Sequence, residues 1–435
     1  MVLAVPRWQN WAGNQAAAPR RVITPRSAAE VADAVALAAR DGLPVRMTGS
    51  GHSFTAAAAT SGVMLRPGGL RTIRSVDEEA GQVTVEAGCR LRDLNEALYA
   101  RGLALANMGD IQEQTVAGAI QTGTHGTGRD LGGIAAQVTA LEMVLADGSV
   151  VCCSADQSAE LFQATRIGLG ALGVLTAVTL RVVPAFLLTA REEPMSWAEV
   201  IARLDELASA NEHFEFYWFP HTDGCLTKRN NRSDGPPRPL PRWRHQLDDE
   251  FLSNTLFGAT CRLGQRFPAV IPAINGVATK ALGARTYTDA AYRVFTSPRR
   301  VRFKEQEYAI PREHLAGALT AIRDLFSRHT WRISFPIEVR IAPGDDVWLS
   351  TAYGRSTAYV AVHVFRTAPH EEYFREVESV MTALGGRPHW GKLHTRDAAY
   401  LRGVYPRFAD FVTLRDKLDP DRRFANPYTE QVLGS

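Results

Sequence analysis

The sequence predicts a mixed helix-and-strand protein of at least two domains, and three observations support this prediction. The 435 residues are 45% hydrophobic and 22% charged, an ordinary globular composition that excludes a disordered or fibrous protein. The first third alternates strands and helices, beginning with a strand at Arg20–Thr24. After Pro184, aromatic-rich strand patterns such as Phe214–Phe219 and Tyr359–Phe365 alternate with helices. We therefore place a domain boundary near Pro184.

Helix caps, turn residues and the alternation of apolar and polar residues predict the helices and strands before Pro184. Ser27 and Glu30 form a capping box, and the helix behind it carries Val31, Val35 and Ala38 on one face. Gly102 closes a second helix, and Asp147-Gly148 predicts a hairpin turn. The further predicted strands are Val45–Thr48, Val63–Leu65, Val83–Glu86, Val138–Leu145, Val150–Cys153 and Leu175–Val183, and the further helices are Leu91–Arg101 and Ala159–Thr165.

Charge and hydropathy argue against a nucleic-acid-binding protein and against a transmembrane segment. The net charge of +3 is too small for a nucleic-acid surface, and the basic, proline-rich segment Lys228–Asp249 is interpreted as a solvated loop. We expect no transmembrane segment, because no run of about 18 uncharged apolar residues occurs. Met1–Trp11 lacks the apolar length of a signal peptide.

The five cysteines are odd in number and show no zinc-type spacing, so we expect no metal site. Cys152 and Cys153 are adjacent on a predicted strand and should point to opposite faces. We interpret the cysteines as packed, reduced thiols. Reduced thiols favour a cytoplasmic protein, either free or peripheral to the membrane.

Three glycine clusters are candidate cofactor loops. Gly168–Gly173 matches G-x-G-x-x-G, but a helix precedes it and a strand follows, which is the reverse of the nicotinamide-binding order. Gly49–Ser53 follows a strand, and its backbone N–H groups and hydroxyls suit either a pyrophosphate or an ordinary turn. The density of small residues in Gly118–Gly128 favours a second loop in contact with a cofactor.

Several motifs together resemble the FAD-linked oxidases of the vanillyl-alcohol oxidase type. They are GSGHSF at 49–54, VEAGCRL at 85–91, NMGDIQEQTVAGAIQTGTHGTG at 107–128 and LGALGVLTAVTLRVVP at 169–184. EYAIP at 307–311 and GGRPHWGKLH at 385–394 are similar to the sugar-1,4-lactone oxidases and dehydrogenases, to which the alditol oxidases are close. The resemblance covers nearly the whole chain and is weak at 186–300.

This resemblance implies an α+β fold. A two-subdomain FAD-binding domain of the vanillyl-alcohol oxidase (PCMH) type would span residues 1–184. A cap or substrate domain with an antiparallel sheet would span 185–395. A C-terminal tail, 396–435, would return to the FAD domain.

The resemblance also implies the cofactor contacts. His52 would bond covalently to the flavin, although a loop histidine can equally cap a backbone carbonyl. His125 could likewise be a packed histidine. The remaining implied FAD-binding residues are Arg46, Gly49, Ser50, Gly51, Ser53, Phe54, Asp110, Thr115, Gly118, Thr122, Gly123, Gly126 and Val174.

Four side chains are candidates for catalysis. Glu338 and Arg340 alternate on a predicted strand and share a face, where they could bind a polyol or form a cross-strand ion pair. Lys392 would stabilise an alkoxide that develops on the substrate. His363 could contact substrate or pack in the core of the cap.

The implied activity is oxidation of an aldono-1,4-lactone of the L-gulono or D-arabinono type, by hydride transfer to FAD. The keto-lactone product would tautomerise to an ascorbate-like enediol, and oxygen or a redox partner such as a cytochrome would accept the electrons. The alternatives are an alditol oxidase acting on an open-chain polyol, and a flavin-binding protein with a degraded site. Retention of Glu338, Arg340 and Lys392 together speaks against the degraded site.

Overall fold

The computed structural model describes residues 7–241 and 254–435. Residues 1–6 of the predicted first domain and 242–249 of the predicted basic loop lie outside the described residues.

Within residues 7–184, the N-terminal part contains short parallel strands, a separate antiparallel sheet and four α-helices. In chain order its strands are β1 Trp8–Gln9, β2 Ala16–Ala17, β3 Arg21–Ile23, β4 Val45–Met47, β5 Val63–Leu65, β6 Ile73–Asp77, β7 Gln82–Glu86, β8 Leu103–Ala104, β9 Val138–Val144, β10 Val150–Ser154, β11 Val174–Arg181 and β12 Val183–Pro184. Its α-helices are α1 Ala28–Arg40, α2 Leu91–Tyr99, α3 Val116–Gln121 and α4 Ala159–Thr165.

Helix α1 packs on a three-stranded parallel sheet with the order β3-β5-β4. The Ser27 hydroxyl accepts from the Glu30 backbone N–H at 3.1 Å, as the capping box predicts, while Glu30 accepts from the Arg26 N–H at 2.9 Å. Val31 and Val35 on its inner face are fully buried, and each such side chain contributes about 1.5–3 kcal/mol of transfer free energy.

A five-stranded antiparallel sheet with the order β10-β9-β11-β7-β6 forms the second layer. The glycine run 168–173 lies between α4 and β11, in the helix-then-strand order that argued against a nicotinamide site. Gly173 has a φ of +157°, and a Cβ there would lie 2.5 Å from the Val144 carbonyl oxygen. Close backbone packing therefore explains this glycine.

The second half of the chain contains a large antiparallel sheet flanked by helices. Its strands are β13 Leu187–Ser196, β14 His213–Trp218, β15 Gly224–Ser233, β16 Arg285–Ala290, β17 Phe303–Pro311, β18 Ile337–Ala342, β19 Thr357–Phe365 and β20 Arg387–Pro388. Its α-helices are α5 Trp197–Ala202, α6 Leu204–Ser209, α7 Phe257–Arg266, α8 Ile271–Ala281, α9 Ala291–Phe295, α10 Leu315–Arg328 and α11 Glu371–Ala383. The eight strands run in the order β16-β13-β15-β14-β18-β19-β17-β20.

The prediction of a loop beginning at Lys228 is wrong for its first six residues. Residues 228–233 belong to β15, which pairs with β13 on one side and β14 on the other. Lys228 is not on a solvated face, because its ammonium lies 3.5 Å from a Glu215 carboxylate oxygen and donates to the Val294 carbonyl at 3.2 Å. The composition of residues 228–233 is typical of loops, but pairing with two neighbouring strands makes them a strand.

The C-terminal segment contains α12 Ala398–Val404, α13 Phe408–Leu418 and α14 Pro427–Leu433. It contacts the N-terminal part directly, since the Asn426 amide donates to the carbonyls of Ala56, Ala57 and Ala59 at 2.9–3.1 Å. The Val45 N–H donates to the Arg423 carbonyl at 2.8 Å. These contacts support the proposal that 396–435 returns to the first domain.

The five cysteines are free thiols. Cys152 is exposed and Cys153 is buried, as their opposite faces on one strand require. Among the described residues, no helix is both long enough and apolar enough to cross a bilayer.

Candidate active site

A cleft of about 950 Å³ lies between the loop after β4 and the start of α3. We call it the glycine-lined cleft. The predicted cofactor residues that line it are Arg46, Gly49, Ser50, Gly51, His52, Ser53, Thr115, Gly118, Thr122 and Val174.

Two glycines lie where a side chain would not fit in the cleft wall. A Cβ on either Gly49 or Gly118 would lie 2.8 Å from the Thr115 hydroxyl oxygen. That hydroxyl is fixed because it caps α3 by accepting from the Gly118 N–H at 3.2 Å. Side chains at these two positions would displace the cap and fill space that a bound ligand needs.

Arg46 is a structural member of the cleft wall. Its guanidinium donates to the carbonyls of Gly170 at 3.1 Å and Phe424 at 2.8 Å, and to those of Ala57 and Leu169. Burial lowers its pKa to about 10, so it remains charged at neutral pH. The guanidinium therefore holds three distant segments together. These carbonyls occupy its two terminal nitrogens, whereas its buried Nε has no hydrogen-bond partner among the described residues.

A second cavity of about 780 Å³, the charged cavity, adjoins the cleft. His52, Ser53, Gln114 and Thr122 line both spaces. The four predicted catalytic residues, Glu338, Arg340, His363 and Lys392, meet in this cavity, as do Phe54, Asp110 and His125 from the predicted cofactor set.

His52 stands at the junction of the two spaces as a neutral imidazole. Its ring stacks on Trp11 with centroids 5.6 Å apart. Burial, together with the nearby charges of Lys392 and Arg90, lowers its pKa to about 4. A free lone pair on one ring nitrogen is therefore maintained at neutral pH.

Glu338 and Arg340 face the same cavity and also pair with each other. Arg340 Nη2 lies 2.5 Å from Glu338, and its Nε donates to Glu215 on β14 at 3.0 Å. Tyr217 donates its hydroxyl hydrogen to Glu338 at 2.9 Å. Burial and the neighbouring carboxylates of Asp110 and Glu215 raise the pKa of Glu338, despite Arg340. The ion pair predicted from the sequence is present, although within one strand, while binding of a polyol by the two residues stays a prediction.

Asp110 connects the N-terminal part to the cap. Its carboxylate lies 2.5 Å from Arg299 and 3.6 Å from Arg340, and its carbonyl accepts from the Ser297 N–H at 3.0 Å. Burial alone would raise the pKa of Asp110, but these arginines hold that pKa well below its usual range.

Lys392 forms a direct ion pair with Glu305 of β17, and Glu305 also lies 3.4 Å from His363 Nε2. Burial alone would raise the pKa of Glu305, but Lys392 and His363 lower it to about 2. Burial acts to lower the pKa of Lys392, yet Glu305 and Glu307 raise it above 10.5. The lysine is therefore an ammonium that donates only. The second ring nitrogen of His363, Nδ1, lies 3.1 Å from the Pro336 carbonyl.

Glu307, His125 and His389 bring ligand-type atoms within 4.8 Å of one another, a possible metal-binding group. However, the Gly391 N–H donates to His389 Nδ1 at 3.0 Å, which places the ring proton on Nε2. His125 lies between two acceptors, the Gly126 carbonyl at 3.0 Å and Glu307 at 3.2 Å. Neither ring nitrogen of a neutral His389 thus offers a free lone pair to a metal ion, and His125 Nε2 is paired with Glu307, so the donor set does not favour a metal centre.

Gly123 and Gly126 line neither space. Gly123 has a φ of +75°, and a Cβ on Gly126 would lie 2.0 Å from the Met108 carbonyl oxygen. The next residue, Thr127, donates to the Ile341 carbonyl at 3.0 Å and also contacts the Phe214 carbonyl. This stretch serves mainly to attach the N-terminal part to the cap sheet.

The sequence analysis did not identify Glu305, Glu307, His389 or Arg299. Glu305 and Glu307 alternate on one strand, so their side chains share a face, and that face is buried. Two acids at alternating positions of one strand were a local signal of a shared face for Glu305 and Glu307.

Comparisons with known proteins agree with this geometry. A family model described as D-arabinono-1,4-lactone oxidase matches residues 178–432, and one described as FAD binding domain matches 19–154. The L-gulono-1,4-lactone dehydrogenase of Mycobacterium tuberculosis is 46% identical over 99% of both chains. The L-gulonolactone oxidase of Bos taurus is 34% identical over 98% of both.

Among solved structures, a solvent-stable cholesterol oxidase superimposes with a TM-score of 0.81 at 19% identity, over 99% of this chain and 97% of that chain. At that identity the likeness shows the fold alone. It confirms the predicted α+β fold of the vanillyl-alcohol oxidase (PCMH) type, with an antiparallel cap sheet. The matches over nearly the full length show that this chain belongs to the D-arabinono-1,4-lactone oxidase family and carries an FAD-binding domain.

Proposed function

We propose that this protein oxidises a ring carbinol of an aldono-1,4-lactone, of the L-gulono or D-arabinono type. The observation that carries the proposal is the junction of a glycine-lined cleft with a cavity that holds Glu338, Arg340 and Lys392 together. The names of the similar proteins support the same substrate class.

The residues of the cleft fit FAD. Gly49 and Gly118 leave the space that a pyrophosphate or ribityl chain needs, and His52 lies where the cleft opens into the charged cavity. We assign the cleft residues Ser50, Gly51, Ser53, Thr115, Thr122 and Val174 to the same cofactor. His52 is the proposed point of covalent attachment, since its imidazole is neutral and held by the Trp11 ring.

When bound, FAD supplies the acceptor for the hydride that leaves the carbinol carbon. Lys392 donates a hydrogen bond to the substrate oxygen as negative charge develops there, and Arg340 assists from β18. Neither cation can remove the hydroxyl proton. Among the four carboxylates of the cavity, Glu338 has the raised pKa, so it is best suited to take that proton. The keto-lactone product then tautomerises to an ascorbate-like enediol.

An anaerobic reduction assay tests this function. The purified flavoprotein is mixed with L-gulono-1,4-lactone, D-arabinono-1,4-lactone and a set of open-chain alditols, and flavin absorbance is followed. Bleaching by lactones is expected. Bleaching by alditols alone would instead assign the alditol oxidase activity, and no bleaching by any sugar derivative would refute the proposal. Mixing the reduced protein with oxygen or with a cytochrome then distinguishes the two classes of electron acceptor.

A further inference from the structure

Arg299 lies at the mouth of the charged cavity. Its side chain lines that cavity but is 36% exposed, compared with 22% for Lys392 and 8% for Arg340. Among the described lysines and arginines of the cavity wall, it is therefore the one nearest to solvent. The proposed function uses Lys392 and Arg340 at the reacting carbinol and leaves Arg299 without a role.

The Arg299 guanidinium is anchored at one nitrogen, and most of its donors are unused. Its Nη2 donates to an Asp110 carboxylate oxygen at 2.5 Å. In the part of the chain that the structure describes, this carboxylate is the only group that forms a hydrogen bond or an ion pair with the guanidinium. A guanidinium carries five N–H donors in a planar fork, so the remaining donors can bind oxygen atoms of a ligand.

The backbone around this arginine is fixed from two sides. The Asn254 amide nitrogen donates to the Pro298 carbonyl at 3.1 Å, and its oxygen accepts from the Arg300 N–H at 2.8 Å. On the other side, the Ser297 N–H donates to the Asp110 carbonyl at 3.0 Å. The segment between α9 and β17 thus presents the guanidinium in a fixed place, which lowers the entropic cost of binding to it.

The chemistry of the proposed substrates indicates which of their groups reaches the mouth, and this step rests on the proposed function. The ring carbinols of an aldono-1,4-lactone are C2 and C3, whereas C4 carries the exocyclic arm. A carbinol held at Lys392, inside the cavity, leaves this arm as the part that extends outwards. The arm has two hydroxylated carbons in L-gulono-1,4-lactone, one in D-arabinono-1,4-lactone and none in a tetrono-1,4-lactone.

We propose that Arg299 binds the hydroxyls of the exocyclic arm and thereby makes the enzyme prefer lactones with a longer hydroxylated arm. The hydroxyl oxygens accept from the free N–H groups of the guanidinium, and hydrogen bonds from a charged donor are stronger than those between neutral groups. The benefit of Arg299 should therefore be largest for L-gulono-1,4-lactone and smaller for D-arabinono-1,4-lactone. It should be absent for a tetrono-1,4-lactone.

Anaerobic reduction of the bound flavin at several concentrations of each lactone tests this assignment, because it separates the half-saturating concentration from the limiting rate. Arg299→Gln should raise the half-saturating concentration of L-gulono-1,4-lactone about tenfold, and that of D-arabinono-1,4-lactone by less. The value for the tetrono-1,4-lactone, measured by competition if it is not oxidised, should stay unchanged. The limiting rate should change by less than about twofold, because Arg299 does not touch the reacting carbon.

Two further variants make the result specific. Arg302→Gln, at an exposed position of the same segment and outside the cavity lining, should behave as the parent with all three lactones. Arg299→Lys keeps a positive charge opposite Asp110 but loses the planar fork, so it should restore part of the affinity for L-gulono-1,4-lactone. It also separates loss of the arm contact from the effect of leaving Asp110 without its partner.

Three results would overturn the assignment while the parent is still bleached by lactone. Equal weakening of all three lactones would mean that Arg299 only maintains the cavity. Unchanged half-saturation by L-gulono-1,4-lactone would exclude the contact, and a fall in the limiting rate alone would place Arg299 at the reacting carbon. A parent protein that no lactone bleaches would instead refute the proposed function and this assignment with it, so the two failures are distinguishable.

Discussion

Glu305 and Lys392 form an ion pair in the charged cavity, joining strand β17 to the segment that follows β20. The carboxylate holds the ammonium between the cavity and the ring of Phe54, whose centroid lies 5.3 Å from the lysine nitrogen. This pairing fixes both the position and the charge of the lysine that we propose as the donor to the substrate oxygen.

Lys392→Ala should slow reduction of the bound flavin by lactone by about 100-fold, because one preorganised donor to the developing alkoxide is lost. Stopped-flow absorbance under anaerobic conditions measures this rate. Lys417→Ala, at an exposed position on α13, is the matched control and should react at the parent rate. An unchanged rate in Lys392→Ala, with flavin still bound, would exclude the proposed role.

Glu305→Gln should move the alkaline limb of the rate–pH profile to lower pH. The carboxylate raises the pKa of Lys392, so its removal lowers that pKa, and the active ammonium is lost at a lower pH. The amide keeps the size of the side chain, which separates this effect from a packing defect. Glu313→Gln, on the exposed turn after β17, should leave the profile in place. A lower rate at every pH, with the alkaline limb at its parental pH, would indicate that Glu305 has only a structural role.

After acid precipitation, the flavin should stay with the parent protein. In His52→Ala it should be released to the supernatant. The physical reason is that His52 supplies the neutral ring nitrogen proposed for the covalent bond. His314→Ala, at an exposed position, should retain its yellow precipitate. Flavin that washes out of the parent protein as readily as from the variant would refute the attachment.

The success of the sequence analysis depended on whether a side chain's partners are near in sequence. Glu338 and Arg340 were found because their spacing on one strand fixes their common face. Glu305 was missed because its pairing with Lys392 depends on how β17 and β20 align, which no local pattern reports. Lys228 was assigned to a loop on composition, although two flanking strands place it inside the sheet.

Arg46 illustrates the same limit and leads to a test. It was placed at the pyrophosphate by resemblance, yet its carbonyl partners Gly170 and Phe424 lie 124 and 378 residues away. Arg46→Gln should lower the free energy of unfolding by about 3 kcal/mol, since several buried carbonyls lose a charged donor. Thermal or urea unfolding measures this, with the exposed Arg66→Gln as control. A variant of parental stability that fails only to retain FAD would restore the phosphate role.

His389 should make the protein less stable as the pH falls below neutrality. Burial, more than the charge of Lys392, lowers its pKa from 6.5 to about 3. The unfolded chain therefore takes up a proton near pH 6.5 that the folded chain refuses until about pH 3, so the free energy of unfolding falls across that window. The slope from this one group is about 1.4 kcal/mol per pH unit.

Between pH 6.5 and 4.5 the carboxylates with lowered pKa values do not contribute. Other histidines with lowered pKa values and the carboxylates with raised pKa values do contribute there, but a comparison of one variant with the parent cancels what both proteins share. His389→Gln should show a shallower fall in unfolding free energy there than the parent, measured by urea titration at several pH values. The exposed His314→Gln should keep the parental slope. Equal slopes in His389→Gln and the parent would mean that the ring is already protonated in the folded protein. Its Nδ1 could not then accept from the Gly391 N–H, and the proton would have to be reassigned in the group of Glu307, His125 and His389.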